Sequence, residues 1–340
     1  MAVFGVSGSC SPMTRRDFIS LLGGAAAAWP LVALAQQAKR LGVLSGAAAS
    51  SAAGQNILTD FLQGLRKLGW NDGENIQIEV RWSAADPRLI EAYASDLVGL
   101  FKPDVLLSAT TVNLLALQRA TRDIPIVFTE VSDPVAQGFV PNLIRPGGNI
   151  TGFANPEFSI GGKWVDLLKQ MAPSIVQVTF VYNLKTSPQS ALYAAAAEAA
   201  APSLGVQVVR AAVDSTEELE ATLTRLAGVP NAGLVFPIGL YTTLRAKLIV
   251  ETVARYRLPA IYAAESFMVE GGLMYYFNDL SEPYRLAPYY VDRILKGANP
   301  GDLPVQLPKT FRLVINRKTA KALGIDVPLG LLLAADEVIE

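Results

Sequence analysis

Residues 103–130 read PDVLLSATTVNLLALQRATRDIPIVFTE. Two short apolar runs, PDVLLSA (103–109) and IPIVFTE (124–130), flank TVNLLALQRAT (111–121), whose leucines recur at helical spacing. A strand, a helix and a second strand with no polar alternation in either strand predict a parallel sheet covered on both faces. The same alternation extends outward in both directions. Upstream lie a strand at 40–46, a helix at 54–70 (Ile57, Phe61, Leu65, Leu68), a strand at 75–82 and a helix at 87–101 opened by Asp86 and Pro87. Downstream, GGNITGF (147–153) reads as a short extended segment leaving this unit.

The pattern then restarts. Helices are predicted at 161–173, 190–205, 215–228 and 242–257, and strands at 176–183, 206–213, 231–237 and 258–263. Ser215 and Glu218 stand at the spacing of a capping box. The expected fold class is α/β, with two doubly wound lobes of parallel strands. Ligands in such sheets sit beyond the carboxyl ends of strands, so a cleft between the lobes is the expected site.

Composition removes much chemistry. The 340 residues carry a formal net charge of −1 with no basic block, which argues against a nucleic-acid partner. There is no histidine, so histidine-based triads and metal sites are excluded. The single cysteine, Cys10, excludes an intrachain disulfide or a multi-cysteine cluster. No cofactor, no metal and no catalytic residue is expected.

The first 35 residues read as an export signal. Arg15 and Arg16 precede an apolar Gly/Ala-rich stretch that ends at Ala33-Leu34-Ala35. This is the layout of a twin-arginine signal cleaved after about Ala35, with an ordinary Sec signal as the alternative. Met13 is an alternative start. The mature chain would be mildly acidic, free of cysteine and periplasmic.

Several strand-to-helix junctions are rich in small polar residues. SATT offers Ser108, Thr110 and Thr111 beside helix N–H groups, a design suited to a carboxylate. Either threonine could instead only cap its helix. Asp133, Glu130 and Glu265 are candidate partners for a ligand ammonium, and Asp133-Pro134 is equally a helix-start pair. Tyr182, Tyr262, Phe267 and Tyr276 are candidates for stacking. Gly46 and Gly54 lack dinucleotide-motif spacing, and Gly161-Gly162-Lys163 lacks the rest of a phosphate loop.

The stretches IPIVFTEVSDPVAQGFV (124–140), RPGGNITGF (145–153), GGLMYYFND (271–279), 289–328 and ADEVIE (335–340) together resemble ABC transporter substrate-binding proteins of the tryptophan/tyrosine-uptake type, within the class I periplasmic binding proteins. The resemblance implies two Rossmann-like lobes that close on a small solute, and a monomer that delivers it to a permease and its ATPase. It implies chain crossovers near 150–156, 268–276 and 305–312. Lobe 1 would span 39–153 plus about 276–306, and lobe 2 would span 154–275 plus about 307–340. It also implies a cleft lined by Ser45, Ser108, Thr110, Thr111, Ser132, Asp133, Asn155, Asn183, Glu265 and Tyr276.

Two departures bear on the ligand. Family members often carry SYG where this chain has Tyr275-Tyr276-Phe277, and an acidic residue where it has Pro237-Ile238-Gly239. An aromatic or aliphatic acid therefore stands beside an α-amino acid as the expected ligand. A sensor module for a membrane receptor, and a secreted hydrolase using Ser–Lys or paired carboxylates, are the competing readings.

Overall fold

The computed structural model describes residues 38–340, so the export signal expected over 1–35 lies outside the described residues. The first half of the chain forms β1 (Lys39–Ser45), α1 (Ala52–Lys67), β2 (Ile76–Trp82), α2 (Pro87–Asp96), β3 (Val105–Ala109), α3 (Thr111–Ala120), β4 (Ile126–Ser132) and β5 (Ile150–Asn155). These strands make a five-stranded parallel sheet in the order β2-β1-β3-β4-β5. Helix starts follow their caps, as with Ser51 accepting from Gly54 N–H and Asp86 accepting from Arg88 N–H ahead of Pro87. After Asp96 the helix continues as a π-helical turn, Leu97–Phe101, and stops at left-handed Lys102.

The second lobe begins with α4 (Ile160–Met171), β6 (Gln177–Tyr182), α5 (Ser190–Leu204), β7 (Gln207–Ala212), α6 (Thr216–Leu226) and β8 (Ala232–Phe236). It continues through α7 (Leu240–Thr243), α8 (Ala246–Arg255), β9 (Ala260–Tyr262), α9 (Ser266–Val269) and β10 (Met274–Asn278). The capping box is formed: Glu218 N–H donates to Ser215, and the Glu218 carboxylate accepts from Asp214 N–H. Strand order β7-β6-β8-β9-β10 repeats that of the first sheet.

The chain then returns to the first lobe as α10 (Glu282–Leu295). Its Tyr284, Ala287, Val291 and Leu295 join the core around Leu41, Val43 and Phe61. It crosses again to give β11 (Phe311–Asn316), α11 (Arg317–Leu323), α12 (Leu329–Ala334) and β12 (Glu337–Ile339), which complete a seven-stranded sheet.

The boundaries differ from the sequence reading at two points. β5 runs through Asn155 in the first sheet, so 154 and 155 stay with the first lobe. β10 keeps Tyr276, Phe277 and Asn278 in the second sheet, and the returning segment starts at Asp279. Because α10 re-enters from the other lobe, β11 pairs antiparallel with β10, the one exception among the described strands to an otherwise parallel fold. Gln306 still bonds to Gly152 and Ala154, which leaves 307–310 as the third crossing.

Candidate functional site

Both sheets point their carboxyl ends at one cavity of ≈ 460 Å³. That size suits a small molecule, since such sites span roughly 300–1,000 Å³. In the first lobe the wall is made where strand order reverses, by Ser45 and Gly46 after β1 and Thr110 after β3. The second lobe contributes the equivalent places, Ser187 and Gln189 after β6 and Gly239 after β8. Glu265 follows β9, and Asp279 follows β10 at the crossing into α10.

Four of the ten residues expected at the cleft line this cavity: Ser45, Thr110, Asn155 and Glu265. Thr110 occupies the N-cap position of α3 with φ +77, and its side chain makes no cap bond. Its Oγ1 is buried without a protein partner, so simple capping does not account for it. Asn155 Oδ1, Gln189 Oε1 and Ser266 Oγ, all on cavity-lining residues, are buried and unpartnered as well. Buried polar atoms are normally hydrogen-bonded, so these four, two from each lobe, are free to take polar groups of a solute.

The other six are held elsewhere. Ser108 and Thr111 are fully buried beside the wall, and Ser108 lies on the opposite face of its strand from Ala109, which does line it. Ser132 accepts from the Tyr193 hydroxyl at 2.7 Å and from Asn155 Nδ2 at 3.5 Å, which ties β4 to α5 of the other lobe. Burial pushes the Tyr193 phenol far above its ordinary range. Asp133 caps the turn at 134–138 by accepting from Ala136 N–H. Asn183 is consumed locally, donating to Val213 O and accepting from Thr186 N–H and its hydroxyl. Tyr276 stacks on Phe311, with centroids 5.8 Å apart, and faces a separate shallow concavity at the crossings. Of the aromatics considered for stacking, Tyr262 and Phe267 are core residues stacked on each other, and Tyr182 is buried in its strand.

The wall carries four carboxylates, from Asp60, Glu130, Glu265 and Asp279, while none of the described residues lining it is lysine or arginine. Glu265 pairs with Arg312, which also holds Glu337 at 2.9 Å. Asp279 pairs with Arg285 at 2.7 Å and accepts from Ser281. Burial works upward on the Asp279 carboxyl, but the bonds from Ser281 and Arg285 hold it below the usual range.

Glu130 differs. It lies in the irregular stretch of β4 where the register with β5 shifts between Phe128 and Val131, and its φ is +56. Its Oε1 accepts from the Tyr284 hydroxyl at 2.7 Å. Burial raises its carboxyl, an effect that this hydrogen bond only partly offsets. The bulge requires Gly152 opposite, where a Cβ would come within 2.2 Å of Phe128 O. Glu130 is visible in the sequence as the first of two carboxylates, with Asp133, that follow an apolar strand. Tyr284 and Ser281 give no local signal in the sequence beyond the Asp-x-Ser-x-Pro start of α10.

Comparison with known proteins agrees with this geometry. Residues 47–339 match the family described as ABC transporter substrate binding protein. A tyrosine-binding protein of Clostridioides difficile (strain R20291) is 26% identical over 265 residues, covering 78% of this chain and 75% of that protein. The structure of an ABC domain in complex with L-Trp from Streptococcus pneumoniae matches with TM-score 0.79 and 26% identity, covering 89% of this chain and 100% of that one. The ligand-free, open form of a substrate-binding protein with adhesive properties from Clostridium difficile matches with TM-score 0.64 and 26% identity, covering 89% of this chain and 99% of that one.

Proposed function

Since this chain belongs to the ABC transporter substrate-binding protein family, we propose that it is the exported receptor of an importer and binds one small carboxylate-bearing solute in the interlobe cavity. The observation that carries this reading is the set of unpartnered polar atoms on a wall built by both lobes. The solute carboxylate would sit at the start of α3. There the backbone N–H groups of the first turn have no helical acceptor, and Thr110, a lining residue, leaves its Oγ1 without a protein partner. Trp82, Ile57, Leu240 and Leu244 give an apolar lining for the rest of the molecule.

Relatives named for tyrosine and tryptophan support an amino acid as the solute. Ser45, Thr110, Asn155 and Glu265 remain as proposed contacts, joined by Glu130, Gln189 and Ser266. The receptor acts as a monomer, without turnover, delivering its solute to permease and ATPase subunits at the inner membrane after cleavage near Ala35. The test is native mass spectrometry of protein purified from its own periplasm, with a thermal-shift screen of amino acids and aromatic acids. The expected result is one solute per chain and an upward shift, because binding to the folded state stabilises by mass action. Absence of both, or hydrolysis of the solute, would overturn the proposal.

A further inference from the structure

Glu130 holds a carboxylate at a strained backbone position on the cavity wall. Its φ of +56 is one that residues other than Gly, Asn and Asp seldom adopt. Of the four carboxylates on the wall, Glu265 and Asp279 are matched by arginines, and Asp60 is exposed on α1. Glu130 has only a neutral partner, Tyr284, which presents its hydroxyl from the first turn of α10. A desolvated carboxylate held without a cation is costly unless something else supplies the charge.

The neighbouring strand end supplies the scale. Thr110 N–H donates to Thr129 O at 3.2 Å, so the start of α3 and Glu130 stand on adjacent strands. Adjacent strands lie about 4.8 Å apart. Thr110 and Glu130 both line the cavity, so one small solute carrying a carboxylate and an ammonium can meet both.

We infer that Glu130, held by Tyr284, is the counter-charge for a primary ammonium on the solute, and that it selects α-amino acids against deaminated acids of the same shape. This inference rests on the reading of the cavity as a solute site and adds the chemistry that decides which solutes enter. Only the ionised carboxylate can play this part, so acidification weakens binding as Glu130 takes up a proton. The other titratable groups lining the cavity are Tyr284 on α10, Tyr275 on β10, Asp60 on α1, Glu265 with Arg312, and Asp279 with Arg285. The chain has no histidine to confuse the profile.

The test titrates the twenty common L-amino acids, together with 3-phenylpropionate, 3-(4-hydroxyphenyl)propionate, 3-indolepropionate and 4-methylpentanoate, into wild type, Glu130→Gln and Tyr284→Phe by calorimetry. An amino acid should bind wild type at least tenfold more tightly than its deaminated counterpart. Glu130→Gln should lose about tenfold to a hundredfold in affinity for the amino acid, the size of a charged hydrogen bond, with no loss for the deaminated acid. Tyr284→Phe should show a smaller loss in the same direction. Wild-type affinity should fall between pH 7.5 and pH 5 while that of Glu130→Gln stays level. Equal binding of the deaminated acid, or unchanged affinity in Glu130→Gln, would overturn this inference and leave the receptor reading standing. No binding by any probe would overturn both. Should Glu130→Gln fail to fold, the wild-type pH profile and Tyr284→Phe decide the matter, a flat profile counting against the inference.

Discussion

Five non-glycine residues at the carboxyl ends of the first sheet hold a positive φ: Ala84 at +48 and Ala85 at +62 after β2, Thr110 at +77, Glu130 at +56 and Asp133 at +40. Such conformations cost on the order of 1–3 kcal/mol each and persist where surrounding structure imposes them. Two of the five, Thr110 and Glu130, line the cavity. Glu130 adds an electrostatic cost with a definite sign. Its folded acid constant is raised above the unfolded one, so the folded state gains protons first on acidification. The penalty is absent below the ordinary carboxylate range and grows as pH rises through the raised value. Urea unfolding of solute-free protein should therefore show Glu130→Gln more stable than wild type at pH 7.5, with the gap closing toward pH 4; a gap that is constant or reversed would count against this account. At this scale the sequence revealed which junctions face the cavity but not which side chain at each. Ser108 and Ala109 differ only by the two-residue alternation of a strand, and the bulge at Glu130 breaks the alternation that would have placed Ser132.

Elements were legible where local chemistry acts alone. Asp86 before Pro87 and the Ser215–Glu218 box start helices where their spacing says they should. The region read as one helix over 242–257 is divided into α7 and α8, because Arg245 leaves helical geometry between them and its guanidinium lies over the Tyr241 ring. The close crossing of α4 on α5 was not legible, since it depends on what faces Gly161. A Cβ there would fall 2.2 Å from Tyr193 O, and one at Gly162 would meet Ala200 Cβ at 2.9 Å. Gly161→Ala should thus cost roughly 2–3 kcal/mol by forcing the helices apart, measured as a lower urea midpoint with unchanged slope. A cost below 0.5 kcal/mol, the scale of a neutral surface change, would show that the crossing relaxes freely. The same displacement would move Tyr193, whose hydroxyl holds Ser132 across the lobes.

At the scale of the molecule, alternation in the sequence discloses two doubly wound units, yet spatial strand order and the antiparallel β10–β11 pair follow from chain crossings that no local pattern encodes. A solute seated between the lobes touches both walls, so binding favours the arrangement in which both reach it. Small-angle scattering should accordingly show a smaller radius of gyration when an amino-acid solute is added, and identical profiles would argue against closure. Tyr193→Phe removes one buried bond between lobes, worth about 1 kcal/mol, and should raise the radius of the solute-free protein while shifting its unfolding by that amount. The crossing at 279–281 carries a further consequence. Asp279, Leu280 and Ser281 belong both to the cavity wall and to a segment by which the chain crosses between the lobes, and Arg285 and Ser281 bind Asp279. A seated solute would thus stiffen one of the links between the lobes. The amides of 279–282 would then exchange with solvent slowly only in the loaded receptor, giving a clock, readable by deuterium uptake, for how long each cargo stays aboard.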